Sequence, residues 1–271
     1  MKRFIYLLVL ICLCVTFTLG FTACTNGNNL SGITSPAPDI DNDSETDDDS
    51  DEESNETPTK KYDRLLKVTA TTLNIRSSAS SNSTILGQAS KGDLLPLTSN
   101  TGNYYAVTYK NKVAYIHKDY ATQIDIEVTD ETVESLLSKA KTLLGFPYVY
   151  GAQRYHFGGK LNSNFIYGKF DCSSLTQYVY YFYGVNLGAT TRDLVKQGEP
   201  IDKKDLKRGD LMFFTNSSRK HLSGNERVGH VAIYFGENYI LHTASDYAVI
   251  EQISSTRWGY FISAKRFNLS A

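Results

Sequence analysis

Beyond Cys24 this chain of 271 residues keeps one cysteine, Cys172, in the stretch FDCSSLTQYVYYFYG. A lone cysteine is often a small inert hydrophobe. Its position here argues for more. Leu175, Tyr178, Val179 and Phe182 recur at helical spacing over 172–183, with Gly184 as a stop and Asp171 as an N-cap. Cys172 therefore falls in the first helical turn, where unpaired amides and the positive end of the helix favour a thiolate. A thiolate attacks carbonyls; a thiol hardly does.

A nucleophile of this kind needs a base. Five histidines are available: His117, His156, His221, His230 and His242. The stretch GHVAIYFGENYILHTAS reads as two strands around Gly236-Glu237-Asn238. If that connection counts as three residues, His230 lies opposite Ala244 and His242 opposite Ala232. Both rings then share one face as diagonal neighbours. A two-residue loop puts them on opposite faces. One imidazole can take the thiol proton and the other fix its tautomer. His117 falls in a β-rich segment and His156 and His221 in loop-like insertions, so all three read as structural. His230 and His242 lack zinc-site spacing and only one cysteine is near, so neither a metal nor a cofactor is expected.

The elements that must carry these residues follow from pattern. TDETVESLLSKAKTLL, 129–144, is a helix: Val133, Leu136, Leu137, Ala140, Leu143 and Leu144 share a face, Thr129 or Asp130 caps it, and Gly145 stops it. Ahead of it, short β-rich runs at 65–69, 73–76, 93–98, 104–109 and 113–117 alternate with turn signals. That spacing predicts a small barrel, with a hairpin around Lys110-Asn111.

The N-terminus sets the compartment. Lys2 and Arg3 precede an apolar run from Phe4 to Leu19, then Thr22-Ala23-Cys24. This describes an export signal over 1–23. The sequence GFTAC resembles a lipobox, with Phe21 where leucine is usual, so Cys24 is the expected lipid attachment site. Residues 24–63 are polar, and 39–56 hold 11 of the 29 acids with no Lys or Arg. Such a segment cannot bury enough surface to order itself and reads as an extended tether. From Thr57 onward 26 Lys+Arg face 18 Asp+Glu, a net charge of +8. A basic body outside the membrane suits an anionic surface such as wall polymer, and export argues against nucleic acid. The expected location is the outer face of a bacterial cell membrane, with secretion to the wall as the alternative.

Two resemblances follow. LNIRSSASSNSTILGQASKGD and AYIHKDYA resemble the bacterial SH3 domain, with Tyr104 and Tyr115 where tryptophans are usual. GFPYVYGA, FDCSSLTQYVY, KRGDLMFF, GHVAIYFG and YILHTAS, in this order, resemble the NlpC-type papain-like cysteine peptidases that cut bacterial cell-wall peptides. The expected organisation is a signal over 1–23, a tether over 24–63, an SH3-like barrel over 64–126 and a peptidase domain over 127–271. The expected fold is α+β, a helix bearing the nucleophile packed on an antiparallel sheet. The resemblance implies Cys172 as nucleophile, His230 as base and His242 as orienting residue. It also implies that the Tyr148 hydroxyl helps hold the oxyanion, and that Asp171 and Ser173 contact the peptide, with Asp171 pairing its free amine. Thr191 occupies a substrate-side position often held by serine. Ser174 replaces a usual glycine, Tyr150 a tryptophan and Ala189 an arginine, and the segments 151–170 and 215–228 are long; these departures bear on subsite preference. The implied reaction is hydrolysis of stem peptides between γ-linked D-glutamate and diaminopimelate or lysine, through a thioester. The alternatives are an amidase cutting between glycan and alanine on the same fold, and a non-catalytic wall-binding lipoprotein. The Asp171 assignment predicts a preference for stem peptides with a free N-terminal alanine.

Overall fold

The structure, a computed structural model, describes residues 60–243 and 246–270. The export signal, Cys24 and nearly all of the tether lie outside the described residues. No helix among the described residues is long and apolar enough to cross a membrane.

Seven strands come first: β1 (Tyr62–Val68), β2 (Thr72–Arg76), β3 (Ile85–Ser90), β4 (Leu94–Thr101), β5 (Tyr104–Tyr109), β6 (Lys112–His117) and β7 (Ala121–Glu127). All their pairings are antiparallel: β1 with β4 and β7, then β4–β5–β6–β2–β3. The β5–β6 hairpin turns at Lys110 and Asn111, with φ of 51° and 55°. Positive φ at both positions of a two-residue turn matches the twist of the flanking strands. Strands β3 and β7 are absent from the sequence reading. Few of their apolar residues are buried: only Ala89 in β3, where Ile85 is exposed, and Ala121 and Ile126 in β7. Backbone pairing to β2 and β1 holds them, rather than an alternating apolar face.

Helix α1 (Glu131–Lys141) starts at Asp130, whose carboxylate accepts from the amides of Thr132 and Val133. The small hairpin β8 (His156–Phe157) and β9 (Lys160–Leu161) lies in the long segment before α2 (Cys172–Tyr181). Residues 172–180 of α2 are all buried, so it is a core helix rather than a surface one. After α3 (Thr191–Leu194) come β10 (Glu199–Ile201), β11 (Leu211–Phe214), β12 (His230–Gly236), β13 (Tyr239–Thr243), β14 (Ala248–Gln252), α4 (Ser255–Gly259) and β15 (Phe261–Arg266). Their strand order is β10-β15-β11-β12-β13-β14, and α2 packs on β12 and β13. This is the expected α+β arrangement, an antiparallel sheet backing the cysteine helix.

Consecutive leucines join the two halves. Successive side chains on a strand point to opposite faces. Leu66 and Leu95 enter the core of the N-terminal strands with Ile75, Val107 and Ile116. Their neighbours Leu65 and Leu94 enter the other core with Leu136, Leu137, Val179 and Phe213. Each fully buried leucine contributes roughly 1.5–3 kcal/mol of transfer free energy. The sheet also continues across the junction, where Ile250 of β14 pairs with Leu94 of β4.

Candidate active site

Asp171 caps α2. Its Oδ1 accepts from the Ser174 amide at 2.8 Å, and the Ser174 hydroxyl accepts from the Asp171 amide at 2.8 Å. This reciprocal capping box places Cys172 at the first helical position. The thiol is 8% exposed. Burial pushes it up from 9.0 to about 11, and the Asp171 charge pushes the same way. The backbone amides of Val231 and Ser173 and the charge of Arg154 oppose that rise. The first-turn position alone leads to an expected thiolate; here burial works against the helix amides and favours the thiol. The Val231 contact sets the sulfur beside the peptide that follows His230.

The hairpin that carries the histidines resolves the loop question in an unforeseen way. Glu237 and Asn238, with φ of 48° and 65°, form a two-residue turn. The register then shifts between Tyr234↔Ile240 and Gly236↔Tyr239, leaving Phe235 as an extra residue. One bulged residue reverses the facing of everything beyond it. The two-residue turn plus bulge therefore has the parity of a three-residue loop, and the rings meet on one face. His230 Nε2 lies 2.7 Å from His242 Nδ1, with the rings edge to face.

The chain of contacts continues. His242 is 1% exposed, and Glu251 Oε1 lies 3.1 Å from its Nε2, off the line of the ring N–H. Arg257 Nη2 donates to the same oxygen at 2.9 Å. Glu251 is absent from the sequence reading. Strand β14 pairs His242 with Val249, so Glu251 is its diagonal neighbour on the same face. An acid within the otherwise apolar start of AVIEQ was the available signal. Burial and then His242 and Arg257 push His230 well below 6.5. Burial also lowers His242, while Glu251 works against that. Glu251 itself is lowered: burial raises it, but His242 and Arg257 together prevail.

A cleft opens beside the histidines, lined by Tyr148, Asn216, His230, Thr256, Arg257 and Tyr260 among others. Tyr148 is half-buried; burial raises its hydroxyl, followed by the nearby Cys172 and Asp171. The other residues expected on the substrate side are engaged within the protein. Ser173 is buried and its hydroxyl donates to Asp171 Oδ1 at 3.1 Å. Thr191 is buried and donates to the Val228 carbonyl at 3.3 Å. Asp171 also accepts from Arg154 Nη1, at 3.1 Å on Oδ1 and 3.0 Å on Oδ2. Arg154 comes from the long segment before α2 and had no sequence signal, because the contact joins residues 17 apart through a loop. His156 is buried, with Nδ1 accepting from the Gly159 amide at 3.1 Å, a local structural role. His117 packs edge-on against Tyr104.

The NlpC/P60 family profile matches residues 147–266, and the bacterial SH3 domain profile matches residues 71–122. A gamma-D-glutamyl-L-lysine dipeptidyl-peptidase from Bacillus cereus is 29% identical over 181 residues, covering 64% of this chain and 49% of its own length. A peptidoglycan DL-endopeptidase, CwlO, from Bacillus licheniformis is 30% identical over 145 residues, covering 52% of this chain and 29% of its own length. The crystal structure of an NlpC/P60 family protein from Bacillus cereus aligns with a TM-score of 0.39 at 22% identity, over 76% of this chain and 63% of that one. The chain spans about half or less of the length of the curated relatives it matches. It carries an NlpC/P60 family domain behind a bacterial SH3 domain.

Proposed function

We propose that the protein is an exported cysteine endopeptidase that hydrolyses peptidoglycan stem peptides, at the bond between γ-linked D-glutamate and diaminopimelate or lysine. The observation that carries the reading is the 2.7 Å His230–His242 contact on the strand that also supplies an amide to Cys172. The activities of the two curated relatives favour the peptide over the glycan–alanine bond.

The contacts support one arrangement of the protons. Glu251 is ionised and can only accept, and although it lies off the line of the ring N–H its charge 3.1 Å from Nε2 favours the His242 proton there. His242 Nδ1 is then a lone pair and accepts from His230 Nε2–H. That leaves the lone pair of His230 on Nδ1, available to the thiol. As the sulfur attacks the scissile carbonyl, the thiol proton passes to His230 Nδ1. The Tyr148 hydroxyl donates to the developing oxyanion. Collapse expels the diamino-acid amine, which takes the proton from His230 and leaves a thioester on Cys172. His230 then deprotonates a water, which attacks the thioester and releases the acid and the thiol. Burial of the resting pair disfavours a separate thiolate and imidazolium, so proton transfer to His230 concerted with attack, with the negative charge developing on the carbonyl oxygen, is the lower-cost path.

The same reading places the enzyme on the outer face of the membrane, held by acyl chains on Cys24 and extended by the polar tether. Two or more chains give stable anchoring where one does not. Cys24→Ser is expected to release the protein to the medium or leave it unprocessed. The activity test is mass spectrometry of products from L-Ala-γ-D-Glu-L-Lys, its diaminopimelate counterpart and their N-acetylated forms. Cys172→Ala should abolish cleavage without lowering the melting temperature by more than a few degrees. Cleavage by Cys172→Ala, or release of alanine alone, would overturn this assignment.

A further inference from the structure

Asp171 has a second partner besides the helix it caps. Its carboxylate is 6% exposed and accepts four hydrogen bonds: from the Ser174 amide, the Ser173 hydroxyl and twice from Arg154 Nη1. The guanidinium that matches its charge is itself firmly placed. Arg154 Nη1 donates to the Ala152 carbonyl at 2.6 Å, and Nε donates to the Ala189 carbonyl. The segment around it is anchored to α2, since the Tyr155 amide donates to Gln177 Oε1 at 3.0 Å and the Tyr155 ring packs edge-on against Tyr178. The side chain of Arg154 is 13% exposed. This is a built ion pair rather than a surface contact.

A buried pair of this kind changes what the carboxylate can do. A substrate ammonium approaching Asp171 also meets the positive charge of Arg154, whose Nη1 lies 3.0 Å from Oδ2. It has to displace Arg154 or share the carboxylate with it, and in either case it gives up its own hydration. Breaking one member out of a buried pair is strongly unfavourable, because the other is left without compensation. The charge of Arg154 also reaches the reacting groups: it favours ionisation of both the Cys172 thiol and the Tyr148 hydroxyl. Arg154 Nη2 has no hydrogen-bond partner among the described residues. It retains donors that suit a carbonyl oxygen and repel an ammonium.

We propose that Arg154 is a specificity-determining residue, which by occupying Asp171 excludes a free N-terminal ammonium and selects stem peptides whose N-terminal alanine is acylated. This reverses the free-amine preference expected from Asp171 alone. It rests on the peptidase reading of the Cys172 site and names the substrate class for that reaction. Amide-linked alanine is what glycan-attached wall presents, so the class of substrate is attached stem peptide rather than released fragment.

The test uses the full chain and two matched probes, L-Ala-γ-D-Glu-L-Lys and its N-acetyl form, each also with diaminopimelate. Wild type should cleave the acetylated peptide with a kcat/KM about tenfold or more above the free one, a charge-exclusion effect of ordinary size. Arg154→Met frees the carboxylate, and the ratio should fall at least about tenfold toward the free peptide. Arg154→Lys keeps the charge and should keep the preference. Should Arg154→Met fail to fold, the double variant Arg154→Met with Asp171→Asn removes both charges and keeps a capping side chain. Its ratio should move toward one. Wild-type preference for the free peptide, or an unchanged ratio in Arg154→Met or, where that does not fold, in the double variant, overturns the role of Arg154 and leaves the peptidase standing. Cleavage of no peptide by wild type overturns the peptidase reading, and this inference with it.

Discussion

Single residues were legible where their chemistry is rare. One thiol after Cys24, an N-cap before it and two histidines on a hairpin narrow the choice before any coordinate is seen. Their protonation was not legible, because it depends on burial. The thiol is pushed up to about 11 and His230 well below 6.5, both chiefly by burial. In the proposed mechanism His230 must be unprotonated to act as base, and burial lowers its proton affinity. Activity is therefore lost only as pH falls below 6.5, and the neutral pair persists upward toward the thiol's own range. We expect kcat/KM on the stem peptide to stay level from about pH 7 to about pH 9. A resting thiolate–imidazolium pair would instead show a descending limb within that window, as the imidazolium loses its proton. A pH–rate profile with the N-acetylated lysine substrate, whose α-amine is blocked and whose ε-amine titrates above that window, separates the two.

Elements were legible in proportion to how much of their pattern is local. Helix α1 announces itself by spacing and cap, and α2 by its apolar face and Asp171. The β12–β13 hairpin was visible, yet its facing depended on the bulge at Phe235, which no local residue preference reveals. Strand β14 was not visible as part of the site at all, although it brings Glu251 diagonal to His242. Glu251→Ala removes the acceptor that keeps the His242 proton on Nε2. His242 can then carry it on Nδ1, facing His230 Nε2, and His230 must turn its own proton toward the thiol. We expect kcat to fall by about 10- to 100-fold, the usual scale for losing an orienting partner of a reactive histidine. KM should change by less than about threefold, because no substrate contact is removed. Steady-state kinetics on the stem peptide reads both. A rise in KM at constant kcat would mean that Glu251 binds substrate, and unchanged kinetics would mean that His242 is oriented by other groups.

At the scale of the whole molecule, the two domains are legible as two and the structure builds them as one body. Besides the shared leucines, Arg208 donates to Glu134 of α1 through Nε and Nη2 and to Asp63 of β1 at 3.1 Å. The turn of the β5–β6 hairpin donates from the Lys110 and Asn111 amides to the Leu144 and Thr142 carbonyls, satisfying the end of α1. Gly145, with φ of 83°, lets the Tyr109 ring lie directly against the backbone where the helix stops; a Cβ there would sit 2.2 Å from the ring. Contacts between residues this far apart in sequence leave no periodic trace, which is why the junction was invisible. Asp93 shows its energetic consequence. It lies just before β4, 7% exposed, with Oδ2 accepting from the Ser90 amide at 2.7 Å. Burial against the second half pushes it from 3.8 to about 6; the Ser90 amide opposes the shift and the charge of Glu251 adds to it. A carboxyl raised on folding binds its proton more tightly in the folded state. Its contribution is present below pH 3.8 and is lost as pH rises through about 6. Asp93→Asn keeps an acceptor for Ser90 and carries no charge. It should therefore stabilise the protein by about 1–2 kcal/mol at pH 7.5, after allowance for partial solvation, and by close to nothing at pH 4. Denaturant melts of both proteins at the two pH values measure the difference. An equal effect at both, or a loss of stability at pH 7.5, would show that Asp93 remains well solvated and that the halves are less tightly joined than the shared core implies.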